Sequence, residues 1–130
     1  MHHSIILINQ VYKKYKENFM SSNTGEPFQR INIDTAKEKI DSEECTIVDV
    51  RQQDEWDSGH VKNAIHIPVD EILSKIDQLP DSGPLLFICA AGVRSALACE
   101  LAASMGIESE RLFNIEEGTP SWIAKGYPAE

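Results

Sequence analysis

From Phe28 onward the spacing of apolar residues switches repeatedly between short alternating or continuous runs and stretches repeating every three to four positions. Residues 29–33 predict a short strand, and residues 46–50 a second one rich in the β-branched Ile47, Val48 and Val50. Between them, Thr35-Ala36-Lys37-Glu38 resembles a capping box opening a helix toward Ile40. Residues 54–58 predict one helical turn ended by Gly59, and residues 64–67 a third strand halted at Pro68. Residues 70–76 are amphipathic, with Ile72, Leu73 and Ile76 on one side. Leu85–Ile88 is the most apolar run, as expected of a strand at the centre of a sheet and buried on both faces. Residues 95–105 predict a strong helix stopped at Gly106, Leu112–Ile115 another strand, and residues 120–125 a last short helix. This alternation implies an α/β fold: a mainly parallel central sheet with helices on both faces.

Residues 1–27 pattern differently from the rest and read as an N-terminal extension, leaving residues 28–130 as one domain. Ile8, Val11, Tyr12, Tyr15 and Phe19 lie at helical spacing and predict a short docking or capping helix. The stretch from Ser21 to Pro27 reads as a linker.

Charge narrows the range of partners. The chain carries 12 Lys+Arg against 21 Asp+Glu, a formal net charge of -9, which disfavours nucleic acid and anionic membrane. An anionic small substrate would need a local positive potential inside that repulsive field. No apolar run approaches the length of a membrane span, and Ile5-Ile6-Leu7-Ile8 is too short for the apolar part of a secretion signal. Cys45, Cys89 and Cys99 show no metal-type spacing, and His2, His3, His60 and His66 supply no paired ligands, so neither metal nor cofactor is expected. A reducing cytoplasm suits such a chain.

The candidate chemistry lies in Cys89-Ala90-Ala91-Gly92-Val93-Arg94-Ser95. Here the most apolar strand runs into a small-residue loop, and a helical pattern begins directly after it. Backbone amides not yet committed to the helix can point into such a turn, and the helix start adds partial positive charge. A thiol placed there should ionise more readily than a free one, and the thiolate is the nucleophile. Gly92 suits a backbone turn with positive φ. Arg94 offers a fork able to grip a tetrahedral oxyanion at two points. Cys89 is therefore the candidate nucleophile, with Ala90, Ala91, Gly92, Val93, Arg94 and Ser95 as its substrate-binding loop. In parallel sheets ligands sit at the carboxyl ends of strands, where Cys89 falls.

Three stretches together resemble the single-domain rhodanese (thiosulfate sulfurtransferase) family. They are Ile47-Val48-Asp49-Val50-Arg51 with Glu55-Trp56, Gly59-His60 and Asn63-Ala64-Ile65-His66-Ile67-Pro68; the Cys89–Ser95 loop; and Gly118 with Trp122 and Gly126-Tyr127-Pro128. Glu117 departs from the pattern, since the family often has a second glycine before Gly118. Within the resemblance, Asp49 and Arg51 read as a strand-end pair, Glu55 and His60 as turn anchors, His66 as structural, Trp122 as a core anchor and Cys99 as packing. Cys45 is a candidate resolving thiol.

The resemblance implies a rhodanese-like fold and a double displacement through a Cys89 persulfide. The donor would be a small anionic sulfane-sulfur compound such as thiosulfate. The acceptor would be cyanide or a thiol, including that of a thioredoxin-like or sulfur-carrier protein. Two rivals stand beside it. Cysteine phosphatases and arsenate reductases of the related fold separate Cys from Arg by one residue more than the four here, Ala90 to Val93. A non-enzymatic rhodanese-like interaction module would be favoured by loss of the loop cysteine, and this chain retains it.

Overall fold

A computed structural model describes residues 25–130. The helix expected near Val11 and most of the expected linker lie outside the described residues. Pro27 and Phe28 are both buried, so packed chain begins within the last residues of that linker.

Among the described residues five strands form one sheet: β1 (Gln29–Ile31), β2 (Thr46–Asp49), β3 (Ile65–His66), β4 (Leu85–Ile88) and β5 (Leu112–Ile115). Their order is β1-β5-β4-β2-β3, and every pairing is parallel. β4 is the middle strand, as its unbroken apolar run requires. Helices α1 (Ile33–Ser42), α2 (Gln53–Asp57), α3 (Val93–Ser104) and α4 (Gly118–Ala124) follow the strands.

Strand parity sorts side chains onto two faces. Leu85, Phe87 and Cys89 face one side, where they pack with Val48, Leu112 and the small residues Ala98, Cys99, Ala102 and Ala103 of α3. Leu86 and Ile88 face the other, packing with Ile33 and Ala36 of α1 and Trp122 of α4. Helices therefore cover both faces. The alanines of α3 let that helix lie close to the sheet, which keeps the loop between β4 and α3 short.

Beyond shifts of one or two residues at the ends of β2, β3, α2 and α4, three elements differ from the sequence pattern. α1 begins at Ile33, and its N-cap is Asn32, whose side chain accepts from the Thr35 amide at 2.8 Å. Burial of Ile33 one turn from Ala36 draws Ile33 out of the strand and into the helix. Residues 70–76 form no single amphipathic helix but flank two 3₁₀ turns, Val69–Glu71 and Ile76–Gln78. Ile72 and Leu79 are the residues buried there, while Leu73 is exposed. α3 starts at Val93, two residues earlier than expected, because Gly92 at φ 89° turns the chain directly into the helix.

Gly118 sets the closest approach in the fold. Its φ is +80°, and a Cβ there would lie 2.1 Å from the Ala90 carbonyl oxygen and 2.6 Å from that of Cys89. Gly126 has nearly the same φ, +78°, with open space around it. Gly118→Ala is expected to cost about 3 kcal/mol or more, combining left-handed strain with the clash, and Gly126→Ala only about 1 kcal/mol. Urea unfolding of the two variants measures the difference, and equal losses would mean that the loop yields to the added methyl.

Candidate active site

Cys89 lies one residue beyond β4, on the α3 side, and is 1% exposed. Such a sulfur can carry charge only if donors replace the lost water. The Gly92 amide points at Sγ from 3.1 Å, and the Ser95 hydroxyl lies 3.3 Å away. Burial alone pushes this thiol up. The Ser95 hydroxyl and the backbone amides of Ser95, Ala91 and Gly92 outweigh burial, so the thiol is held below its usual value. The other cysteines are pushed the opposite way: Cys99 by complete burial, Cys45 by burial and by Glu43. Only Cys89 combines a strand-end position with a stabilised thiolate.

Ser95 sits beneath the thiol, fully buried. Its hydroxyl also donates to Asn114 Oδ1, and Asn114 Nδ2 donates to the Gly92 carbonyl at 3.1 Å. The hydroxyl has one proton for two acceptors, the thiolate and Asn114. In the neutral form the thiol can donate to Ser95 while Ser95 donates to Asn114. On ionisation the thiolate and Asn114 Oδ1 compete for the one Ser95 proton.

Asn114 carries no candidate role in the sequence reading. The signal was present as the one polar residue in β5, Leu112-Phe113-Asn114-Ile115, where every residue is buried. Its partner in register is Phe87, so it shares the face of Cys89. Gly118 and Thr119 close the far side, with the Thr119 amide donating to the Cys89 carbonyl at 2.8 Å. At Glu117 the backbone is right-handed helical, so no glycine is needed there. Its carboxylate instead accepts from the Ile33 amide at 2.9 Å, capping α1.

Arg94 is not an open fork. Its Nη1 and Nη2 donate to Glu55 Oε1 and Oε2 at 2.6 and 2.9 Å. Glu55 Oε1 also accepts from the Gln52 amide at 3.1 Å, as part of the capping box of α2. Glu55 is therefore both a turn anchor and the partner of Arg94, and the second role had no local signal in the sequence. The Arg94 guanidinium, with further help from the Gln52 amide, holds the Glu55 carboxyl down at about 2. Ala91 and Val93 are exposed at the rim, Gly92 is buried and Ala90 half-buried. An open cleft of about 420 Å³ borders the loop, lined by Arg30, Ala91, Gly92, Val93, Ala96 and Glu116.

The remaining motif residues are structural. Asp49 and Arg51 form a buried pair at 2.7 Å, and Arg51 Nη2 also donates to the Gly59 carbonyl at 2.8 Å. The Trp56 ring stacks on His60 and His66, and these hydrogen-bond the backbone carbonyls of Trp56 and Arg51. Trp122 is buried, with its indole N–H on the Pro128 carbonyl. Cys45 precedes the N-terminal end of β2, whereas Cys89 follows the C-terminal end of the parallel β4. Five residues of extended chain, roughly 16 Å, separate them, and they pack on opposite faces of the sheet, so Cys45 cannot resolve a Cys89 disulfide without unfolding. Among the described residues, no cluster of His, Cys, Asp or Glu could hold a metal ion, and no helix is long and apolar enough to cross a membrane.

A five-stranded parallel sheet carrying a cysteine loop at the carboxyl end of its middle strand defines the class. Residues 32–125 match the rhodanese-like domain, and the chain belongs to that family. YtwF of Bacillus subtilis, provisionally named a sulfurtransferase, is 31% identical over 101 residues, covering 77% of this chain and 95% of that protein. YrkF of the same organism, provisionally named a sulfur carrier protein, is 28% identical over 106 residues, 81% of this chain. The chain spans about half (56%) of YrkF. A rhodanese-related protein from Thermoplasma volcanium superposes with a TM-score of 0.66 at 34% identity, over 79% of this chain and 98% of that one.

Two measurements follow from this geometry. Alkylation rate against pH is expected to show a Cys89 transition below the ~8.5 of a free thiol. Ser95→Ala should raise it, because the hydroxyl is the largest of the groups that hold the thiol down. An unchanged transition would mean that Asn114 keeps the Ser95 proton. For the Glu55–Arg94 pair, the carboxyl is depressed when folded, so its stabilisation is present above pH ~4.5 and lost as pH falls through about 2. The stability gap between wild type and Glu55→Gln, read from urea midpoints, is expected to narrow across that window.

Proposed function

We propose that this chain moves a sulfane sulfur from a small donor to a nucleophilic acceptor through a persulfide on Cys89. The observation that carries this reading is a sulfur buried at the end of the middle strand with a hydroxyl and backbone amides directed at it. In the first step the Cys89 thiolate attacks the outer sulfur of thiosulfate. The sulfur–sulfur bond of the donor breaks, sulfite leaves with the bonding pair, and Cys89 becomes a persulfide anion. In the second step cyanide attacks the outer persulfide sulfur, thiocyanate departs, and the thiolate is restored.

Neither step transfers a proton, so the lack of a Cys–His pair among the described residues is consistent with the reading. The same donors that stabilise the thiolate lie close to the persulfide charge. The sulfur-related names of YtwF and YrkF support the same class of chemistry. The acceptor in the cell is a thiol, small or carried by a thioredoxin-like or sulfur-carrier protein, in a reducing cytoplasm. The short loop, with four residues between Cys89 and Arg94, favours a cradle for one sulfur atom over a wrap for phosphate.

Intact mass after mixing with thiosulfate is expected to rise by one sulfur atom in wild type and to stay constant in Cys89→Ser. That variant should keep its fold and lose thiosulfate:cyanide turnover by at least a thousandfold, the scale of losing a covalent nucleophile. Thiocyanate production retained in Cys89→Ser would reject the assignment.

A further inference from the structure

The loop presents a charge problem that sulfur transfer alone does not resolve. Thiosulfate brings two negative charges, and its sulfonate oxygens need donors. Ala90, Ala91 and Val93 carry no side-chain donor, the Gly92 amide points at Sγ from 3.1 Å, and the Ala91 and Ser95 amides add to the stabilisation of charge on that sulfur. The flanking arginines are all engaged: Arg51 with Asp49, Arg30 with Glu26 and Glu116, and Arg94 with Glu55.

The Arg94–Glu55 pair decides most, because Arg94 belongs to the loop and its guanidinium feels the Cys89 charge. Glu55 takes one N–H from each Nη and puts a full negative charge against the group that would attract a sulfonate. It is not a loose surface side chain. The Gln52 amide pins Oε1, both oxygens are bonded to Arg94, and the side chain is 30% exposed. The carboxyl stays ionised across any working pH.

Resting on the sulfur-transfer reading above, we propose that Glu55 is the donor-selecting residue of this site. By occupying Arg94 it turns the mouth against donors whose transferable sulfur is bonded to an oxyanion. It thereby favours organic persulfides, RS–SH, whose transferable sulfur hangs on an uncharged arm. With such a donor the Cys89 thiolate attacks the terminal sulfur, the RS–S bond breaks, and RS⁻ leaves with the pair. The proton stays on the new Cys89 persulfide, so atoms and charge balance. Glu55 touches no reacting atom and acts only through Arg94, which makes it a positioning residue.

The test measures the loading step alone, as the rate of one-sulfur mass gain on Cys89 under single-turnover conditions. The donors are thiosulfate and the persulfide of 2-mercaptoethanol, and the proteins are wild type and Glu55→Gln. Gln preserves an acceptor for the Gln52 amide while removing the charge. Thiosulfate loading should rise five- to tenfold in Glu55→Gln, the scale of freeing one charge near the surface, while persulfide loading changes less than twofold. In an Arg94→Met background the same Glu55 change should give no thiosulfate gain, because the effect passes through Arg94.

Unchanged or slower thiosulfate loading in folded Glu55→Gln overturns the proposal, as does an equal gain with both donors. If Glu55→Gln loses its cooperative melt, Glu55→Met carries the same comparison. Loss of folding in both variants overturns it too, since Glu55 would then be a structural staple. No mass gain on wild-type Cys89 with either donor is a separate outcome: it rejects the sulfur-transfer reading and the proposal with it.

Discussion

A nearly inaccessible sulfur whose thiol is nevertheless held below its usual value is the constraint around which this site is arranged. At 1% exposure Cys89 has lost almost all contact with water, and an unpaired buried charge costs several kcal/mol. Donors must replace the water, and side chains alone could not supply them in so small a space. The backbone does so by turning at Gly92, whose own amide points at the sulfur, with the Ala91 and Ser95 amides adding to the stabilisation in the manner of anion-binding nests. That turn needs support from below and beside. Asn114 holds the Gly92 carbonyl from beneath, and the chain at Glu116 approaches so closely that a Cβ on Gly92 would lie 2.5 Å from its carbonyl oxygen. Gly118 packs equally tightly against Ala90. The loop is thus packed between α3 and the turn after β5, in backbone-to-backbone contact that its glycines permit.

Much of this was legible because strand parity is strict. The apolar run Leu85–Ile88 set the middle strand, and alternation from Leu85 through Phe87 carried Cys89 onto a defined face. Gly92 was readable as a positive-φ turn, and the resemblance of the flanking stretches located Trp122 and the Asp49–Arg51 pair. Asn114 was missed although the same parity exposes it: a lone polar residue in a fully buried strand, in register with Phe87, has to meet a partner on the α3 side.

The Arg94–Glu55 pair could not be read in that way. The two residues are 39 positions apart on separate helices, and no local period connects them. Glu55 already had a sufficient local explanation as a turn anchor, which the structure shows as the third residue of a capping box, so nothing in the sequence called for a second. Helix starts were misjudged for a related reason. At α1 the pattern offered Thr35 and Glu38 as a box, whereas the actual cap is Asn32, with Glu117 from 84 residues away taking the Ile33 amide. Local signals of similar strength compete, and tertiary burial of Ile33 breaks the tie.

The excess of acid belongs to the same physics. A net charge of -9 would repel a doubly charged donor at long range, and at physiological salt that field decays over about 8 Å. What then matters is the potential inside the mouth, set by a few groups within a few ångströms. The described arginines nearest the loop each face a carboxylate, so their charges largely cancel and leave short-range dipoles. Dipoles from backbone amides fall off faster with distance than net charges do. They stabilise a charge located on the Cys89 sulfur strongly and one a few ångströms further out weakly. On the proposed sulfur-transfer reading, a site built in this way discriminates by where a donor carries its charge, and it leaves the Cys89 thiolate stabilised whichever donor approaches.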